Sequence, residues 1–146
     1  MLNSLKGIIT EKHENLLYLE TGGIEWSINC SVRTLSSVPD KGESVKILLH
    51  LHQTQEAMSL FGFSSEEERK LFLELIKISG IGPKNGIRIL SSISAEGFIK
   101  ALETDDVALL SSLPGIGKKT AQKIILALRG KLLSDDAETE TDNPYK

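Results

Sequence analysis

The fold of this chain turns on a phrase that occurs twice: Ile78-Ser79-Gly80-Ile81-Gly82-Pro83-Lys84 and Leu113-Pro114-Gly115-Ile116-Gly117-Lys118-Lys119. From Gly80 to Gly115 is 35 residues. Each copy follows an apolar stretch with helical spacing and opens another. The pattern predicts a helix, a tight glycine hairpin and a second helix, with basic residues just past the turn. Glycine adopts positive φ without strain, so such a turn closes easily. Successive N–H groups in the turn form a concave nest for an anion, and the following helix adds the positive end of its dipole. Lys84 in the first copy, and Lys118 and Lys119 in the second, supply full charge. The anion suited to this arrangement is a phosphate. Ile81 and Ile116, between the glycines, are expected to point inward and anchor each turn.

A single Gly-Ile-Gly fits an ordinary helix C-cap followed by a turn. Two copies in matching context carry more. The phrase is similar to the helix-hairpin-helix motif of proteins that bind DNA without sequence preference. That resemblance implies phosphate contacts on both sides of a minor groove, which position a protein and read no bases. The candidate DNA-binding residues are Gly80, Gly82, Lys84, Gly115, Gly117, Lys118 and Lys119. Lys123, one turn beyond Lys119, extends the patch, and Arg88 bears the same relation to Lys84. A solvated helix face explains these last two equally well.

Outward from the hairpins, the chain divides by charge. The 146 residues carry a net charge of −3, which by itself argues against a nucleic-acid partner. Residues 1–63 have five Lys/Arg against seven Asp/Glu; residues 64–133 have eleven against eight; residues 134–146 have one against five. The segment bearing the hairpins is thus the basic one, and screening makes local charge matter more than the total. Hydrophobic content of 40 % is ordinary for a globular protein, and no apolar run reaches the length of a membrane span. The N-terminus lacks a signal-peptide pattern, and the single cysteine, Cys30, excludes an internal disulfide, so a cytoplasmic location is expected. Cys30 itself reads as a small buried apolar residue.

Residues 1–63 read as strands. Leu5 to Thr10, Leu16 to Glu20 and Ile24 to Asn29 are rich in β-branched and aromatic residues and are broken at Glu14-Asn15 and Gly22-Gly23. Ser31 to Val38 is expected to form one or two helical turns before Pro39-Asp40. Ser44 to His52 and Ala57 to Phe63 are further strands, with a turn at Gln53 to Glu56. Five strands and one short helix predict an OB-type barrel. Ser64 with Glu67, or Ser65 with Glu68, forms a capping box that starts an all-helical unit of about five helices. Pro83 suits a first helical turn. Ser94 is expected to cap a helix through Phe98 and Leu102, and Thr104 another through Val107 to Leu110. Residues 134–146 have no apolar periodicity and the composition of a disordered tail or linker. The fold class is therefore α+β in two domains: a barrel over 1–63 and a tandem helix-hairpin-helix domain over 64–133.

A barrel followed directly by two such hairpins resembles the RuvA family of bacterial Holliday-junction-binding proteins. The resemblance covers about residues 1–133 and includes Leu60-Phe61-Gly62-Phe63 at the barrel exit and the phrases 80–84 and 113–121. It implies a homotetramer with barrels at its centre and hairpins holding four DNA arms in an open square. It also implies recombination and repair as the setting, with the hexameric ATPase RuvB as motor and the RuvC resolvase as a further partner. No phosphate-loop pattern of an ATPase occurs here, so this chain is expected to be a non-catalytic subunit with no cofactor.

Two departures from the family stand out. The family carries two consecutive acidic residues at the tip of the hairpin between the fourth and fifth strands, a pin near the junction centre. Here the tip reads Thr54-Gln55-Glu56-Ala57, with Glu56 alone charged. The family also continues through a linker into a small domain that contacts RuvB, whereas this sequence stops at Lys146. The expectation is junction binding without most or all of the motor-binding domain.

Other residues support less. His50 and His52 share a strand face, but a metal site wants three or four ligands. Trp26 suits core or interface packing better than base stacking. Two rival functions remain on the residues alone. One is a duplex-binding module without junction preference. The other follows from a resemblance of Leu113 to Ala121 to the hairpin of helix-hairpin-helix DNA glycosylases, which implies a catalytic lysine at Lys119 and a downstream aspartate; here the downstream aspartates are Asp135 and Asp136, in the polar tail.

Overall fold

The computed structural model describes residues 2–132. The tail expected over 134–146 lies outside the described residues.

The barrel is built from β1 (Ser4–Lys12), β2 (Leu16–Thr21), β3 (Ile24–Cys30), β4 (Ser44–Gln53) and β5 (Met58–Phe63), with the short helix α1 (Val32–Ser37) between β3 and β4. The strands close in the order β1-β2-β3-β5-β4. All pairings are antiparallel except β3 with β5, where Ile28, Asn29 and Cys30 stand opposite Leu60, Phe61 and Gly62. Period-two alternation puts Leu17, Leu19, Ile47 and Leu49 inside the barrel with Ile9, Ile28, Cys30 and Leu60. The first four strands run one to three residues longer than their apolar patterns predict, because ladder pairing continues through polar residues such as Lys12 and Gln53, while β5 begins one residue later than expected, at Met58.

Strand β5 joins the two cores. Leu60 faces the barrel interior, while Phe61 and Phe63, on the opposite face, belong to the helical core. There they meet Phe72, with ring centroids 5.1 and 5.0 Å away. The helical part comprises α2 (Glu66–Ile76), α3 (Pro83–Ser92), α4 (Ala95–Glu103), α5 (Val107–Ser111) and α6 (Lys118–Leu128). Their apolar faces, including Leu71, Leu75, Ile89, Leu90, Phe98 and Ile124, are fully buried.

The helix starts test the capping signals. Ser65 caps α2 and Ser94 caps α4, each accepting from the amide three residues on. Thr104 does not cap α5. It is the C-cap of α4, and its hydroxyl donates to the Lys100 carbonyl at 2.9 Å. Asp106 is the N-cap instead, accepting from Leu109 N–H at 3.0 Å. The reason is positional: a capping side chain serves the amide three residues on, and Asp105, at φ 52°, turns the chain between the two helices.

A buried polar contact clamps barrel to helices. Glu68 of α2 is 8 % exposed and accepts hydrogen bonds from the hydroxyls of Thr34 and Ser31 on and beside α1. Burial pushes its carboxyl above the usual range, and the hydrogen bonds from Thr34, Ser64 and Ser31 pull the other way. Ser31 also caps α1, and Val32 N–H donates to Ser91 Oγ on α3 at 3.0 Å. Burial, assisted by the charge of Glu68, raises the Cys30 thiol to about 12, so it is not a thiolate at neutral pH.

Candidate nucleic-acid interface

The two glycine phrases fold alike, bond for bond. In the first, Ile78 N–H donates to Leu75 C=O (3.0 Å), Ile81 N–H to Ile78 C=O (3.1 Å), and Gly86 N–H to Gly82 C=O (2.9 Å). Thirty-five residues later, Leu113 N–H donates to Leu110 C=O (3.2 Å), Ile116 N–H to Leu113 C=O (3.1 Å), and Ala121 N–H to Gly117 C=O (2.9 Å). The first glycine of each turn has positive φ, 97° at Gly80 and 71° at Gly115, where a side chain would strain the backbone. The second glycine, Gly82 or Gly117, is extended and is the N-cap of the helix that follows. Ile81 and Ile116 are buried and anchor the turns from below, as their position between the glycines predicts.

Those N-caps differ from the others among the described residues. Ser31, Ser65, Ser94 and Asp106 each satisfy a first-turn amide of α1, α2, α4 or α5 with a side-chain oxygen. Gly82 and Gly117 supply no such oxygen, so the leading amides of α3 and α6 have no side-chain partner. The charges differ too. The first turn of α2 carries Glu66, Glu67 and Glu68, in accord with the helix dipole. The first turns of α3 and α6 carry no acid and instead hold Lys84, Lys118 and Lys119, all exposed. Cations at a helix N-terminus oppose the dipole, and uncapped amides there lack acceptors. An anion seated at each turn relieves both.

The structure brings the two turns together. A β-carbon built on Gly115 would lie 2.7 Å from Nδ2 of Asn85, in the first turn of α3. Asn85 escaped the sequence reading because nothing local marks a contact with a residue 30 positions away. Lys123 is exposed on α6 and lines a groove with Glu74, Lys77, Ser79 and Lys131. Arg88 and Lys84 line another, between α3 and the barrel residues Asn15, Asn29 and Phe61.

Gln55 and Glu56, the residues expected to form a pin, sit elsewhere, at the exposed tip between β4 and β5. Thr54 holds the turn: its N–H donates to Ala57 C=O at 2.9 Å, and its hydroxyl accepts from Glu56 and Ala57 N–H. Lower on β4, His50 lies 6.1 Å from His52 and 6.0 Å from Phe72, ring to ring. Burial, His52 and Arg69 together lower its pKa. Among the described residues, no three His, Cys, Asp or Glu side chains gather as a metal site, and no helix is long and apolar enough to cross a membrane. Lys119 is exposed, and the aspartates required by a glycosylase reading lie outside the described residues.

Comparison with known proteins agrees with this architecture. A family model described as the RuvA N terminal domain matches residues 1–62, and one described as a SAM-like helix-hairpin-helix tandem matches residues 72–131. The chain is 43 % identical over 147 residues to the Holliday junction branch migration complex subunit RuvA of Treponema pallidum (strain Nichols), covering 98 % of this chain and 65 % of that protein. It is 44 % identical over 132 residues to the protein of that name from Treponema denticola, covering 90 % and 66 %. For the one from Neisseria gonorrhoeae the figures are 42 % over 145 residues, 99 % and 73 %. The chain thus spans about two thirds of the length of the treponemal relatives it matches.

Proposed function

The chain belongs to the RuvA family, and from that premise we propose that it binds four-way DNA junctions through sequence-independent phosphate contacts. The observation that carries the DNA contact is the pair of uncapped, lysine-bearing helix N-termini at Gly82 and Gly117. Each offers unsatisfied amides, the positive end of a helix dipole and at least one ammonium to a backbone phosphate. The proposed site is Gly80, Gly82, Lys84, Gly115, Gly117, Lys118, Lys119 and Lys123. No base reading is required, since such contacts position the protein without specifying sequence.

The finer parts of the proposal rest on the relatives, whose printed name is that of a branch migration complex subunit. A homotetramer would set the barrels at the junction centre, with Gln55 and Glu56 at the crossing point. A separate ATPase of the RuvB type would move the arms, this chain being non-catalytic. The division into a barrel domain over 1–63 and a DNA-binding domain over 64–133 belongs to the same reading.

The test is a gel-shift competition between a synthetic four-way junction and linear duplex of equal length at near-physiological salt. Strong preference for the junction supports the reading and the assembly it requires. Equal binding leaves a general duplex-binding module, for which the hairpins suffice, and removes the role of the pin.

A further inference from the structure

The groove between α2 and α6 has a charge pattern that the hairpins do not use. Its walls include Glu74, Lys77 and Ser79 on one side, and Lys123, Ala127, Leu128 and Lys131 on the other. Glu74 has a side chain only 14 % exposed. Its Oε1 accepts from Lys77 Nζ at 3.1 Å, and Lys131 Nζ stands 3.9 Å from its Oε2. That second oxygen is buried and accepts no hydrogen bond among the described residues. The Lys77 and Lys131 side chains stay 66 % and 60 % exposed. Two ammoniums therefore converge on one carboxylate, and Lys123, exposed on α6, lines the same groove.

Two of the groove's lining residues adjoin the hairpins in the chain. Ser79 precedes Gly80, and Lys123 lies one turn past Lys119 on α6. A nucleic-acid backbone seated on the uncapped amides has this surplus positive charge beside it. Both ammoniums reach solvent, where their attraction to the carboxylate is weakened by water and screened by salt, so a phosphodiester can draw them away from Glu74.

We propose that the groove formed by Lys77, Ser79, Lys123 and Lys131 takes a further DNA backbone phosphate beside the two hairpin sites, and that Glu74 holds its lysines as an internal stand-in for that phosphate until DNA arrives. The proposal rests on the hairpins being the DNA-binding surface. It adds Lys77, Ser79 and Lys131 to that surface and makes Glu74 a competitor of the ligand.

The experiment is fluorescence anisotropy with a labelled four-way junction across a salt series, using the wild-type chain and three variants. Lys77→Ala with Lys131→Ala lowers the slope of log K against log salt by about one unit, the signature of one lost phosphate contact. Glu74→Gln tightens binding about two- to fivefold at low salt, the range expected for releasing solvent-facing lysines from one ion pair. In the combined variant, Glu74→Gln with both lysine changes, that tightening disappears. An unchanged slope in the lysine variant overturns the proposal. So does a Glu74→Gln change that fails to tighten binding, or that tightens it equally when the lysines are gone. Urea midpoints matching wild type exclude misfolding as the cause. If wild type shows no salt-dependent DNA binding, the hairpin reading itself fails, which is a different result from an unchanged slope in a chain that binds.

Discussion

The Asn85 amide packs against Gly115 of the other hairpin: a β-carbon at Gly115 would stand 2.7 Å from Nδ2 and 2.8 Å from Oδ1 of Asn85. Gly80, the equivalent of Gly115 in the first hairpin, has open space where its β-carbon would be. Both have positive φ, so alanine at either costs roughly 1–2 kcal/mol in backbone strain. Gly115→Ala must in addition displace the Asn85 amide. In urea unfolding, Gly115→Ala is expected to be the more destabilising of the two. Combining it with Asn85→Ala should cost less than the sum of the single changes, because the displaced group is gone. Strict additivity would show that the inter-hairpin contact carries no energy.

Lys118 and Lys119 occupy the first turn of a helix that has no side-chain cap. If each meets a phosphate, Lys118→Ala with Lys119→Ala lowers the salt slope of duplex binding by about two units and weakens binding evenly across sequences. The same change removes cations from the positive end of the α6 dipole, so thermal stability without DNA should hold or rise slightly. Titrations at several salt concentrations, paired with a melting curve, check both. A fall in stability together with an unchanged slope would make these lysines structural.

The tip proposed as a pin has Glu56 as its one charge, and Thr54 closes that tip, its hydroxyl accepting from the N–H groups of Glu56 and Ala57. Gln55 is exposed and outside that network, so Gln55→Glu adds a charge without disturbing the turn. In a tetramer the centre would gain four negative charges, and repulsion of phosphates there would be stronger. Junction affinity is expected to fall modestly, and branch migration with a RuvB-type motor to change in rate or product distribution. Identical rates and products for both proteins would sink the electrostatic role of this tip.

Two titrations, of the buried Glu68 and the partly buried His50, give opposite pH slopes to stability. Glu68 has a carboxyl raised above its ordinary 4.5, chiefly by burial. The folded chain therefore holds that proton more tightly than the unfolded chain, and stability falls as pH rises from about 4.5 through the raised value. His50 has a pKa lowered from 6.5, chiefly by burial and then by His52 and Arg69. Here the unfolded chain binds the proton better, so stability falls as pH drops below about 6.5. The wild-type profile in mild acid is thus a partial cancellation. Glu68→Gln should expose the histidine slope, making stability rise more steeply with pH. His50→Gln should expose the opposite one. Denaturant midpoints from pH 4 to 8 for the three proteins measure this, and parallel profiles would contradict both assignments.

Much of this architecture was legible in single segments. Alternation at Leu17, Leu19, Ile47 and Leu49 marks strands with one face inside a barrel, and the structure buries those four residues. The phrase Leu60-Phe61-Gly62-Phe63 was legible as the barrel exit, and there Phe61 and Phe63 pack on Phe72. Less legible was the start of α5. Thr104 and Asp106 are both good capping residues, and the choice between them depends on the left-handed turn at Asp105, where Arg129 donates at 2.7 and 2.9 Å to the carboxylate. Glu68 was legible as a capping-box residue but not as the buried clamp between α1 and α2.

The hairpins were determined by the sequence itself. A positive-φ glycine, a buried isoleucine, an extended glycine N-cap and a first-turn lysine all act within seven residues, so the turn is specified wherever that phrase occurs. The tertiary structure decided what the hairpins meet: Asn85 against Gly115, Glu68 beneath α1, and Lys131 beside Glu74. These pairings join segments as far as 57 residues apart (Glu74 to Lys131). They come from the shared burial of apolar faces that local propensity cannot match to one another.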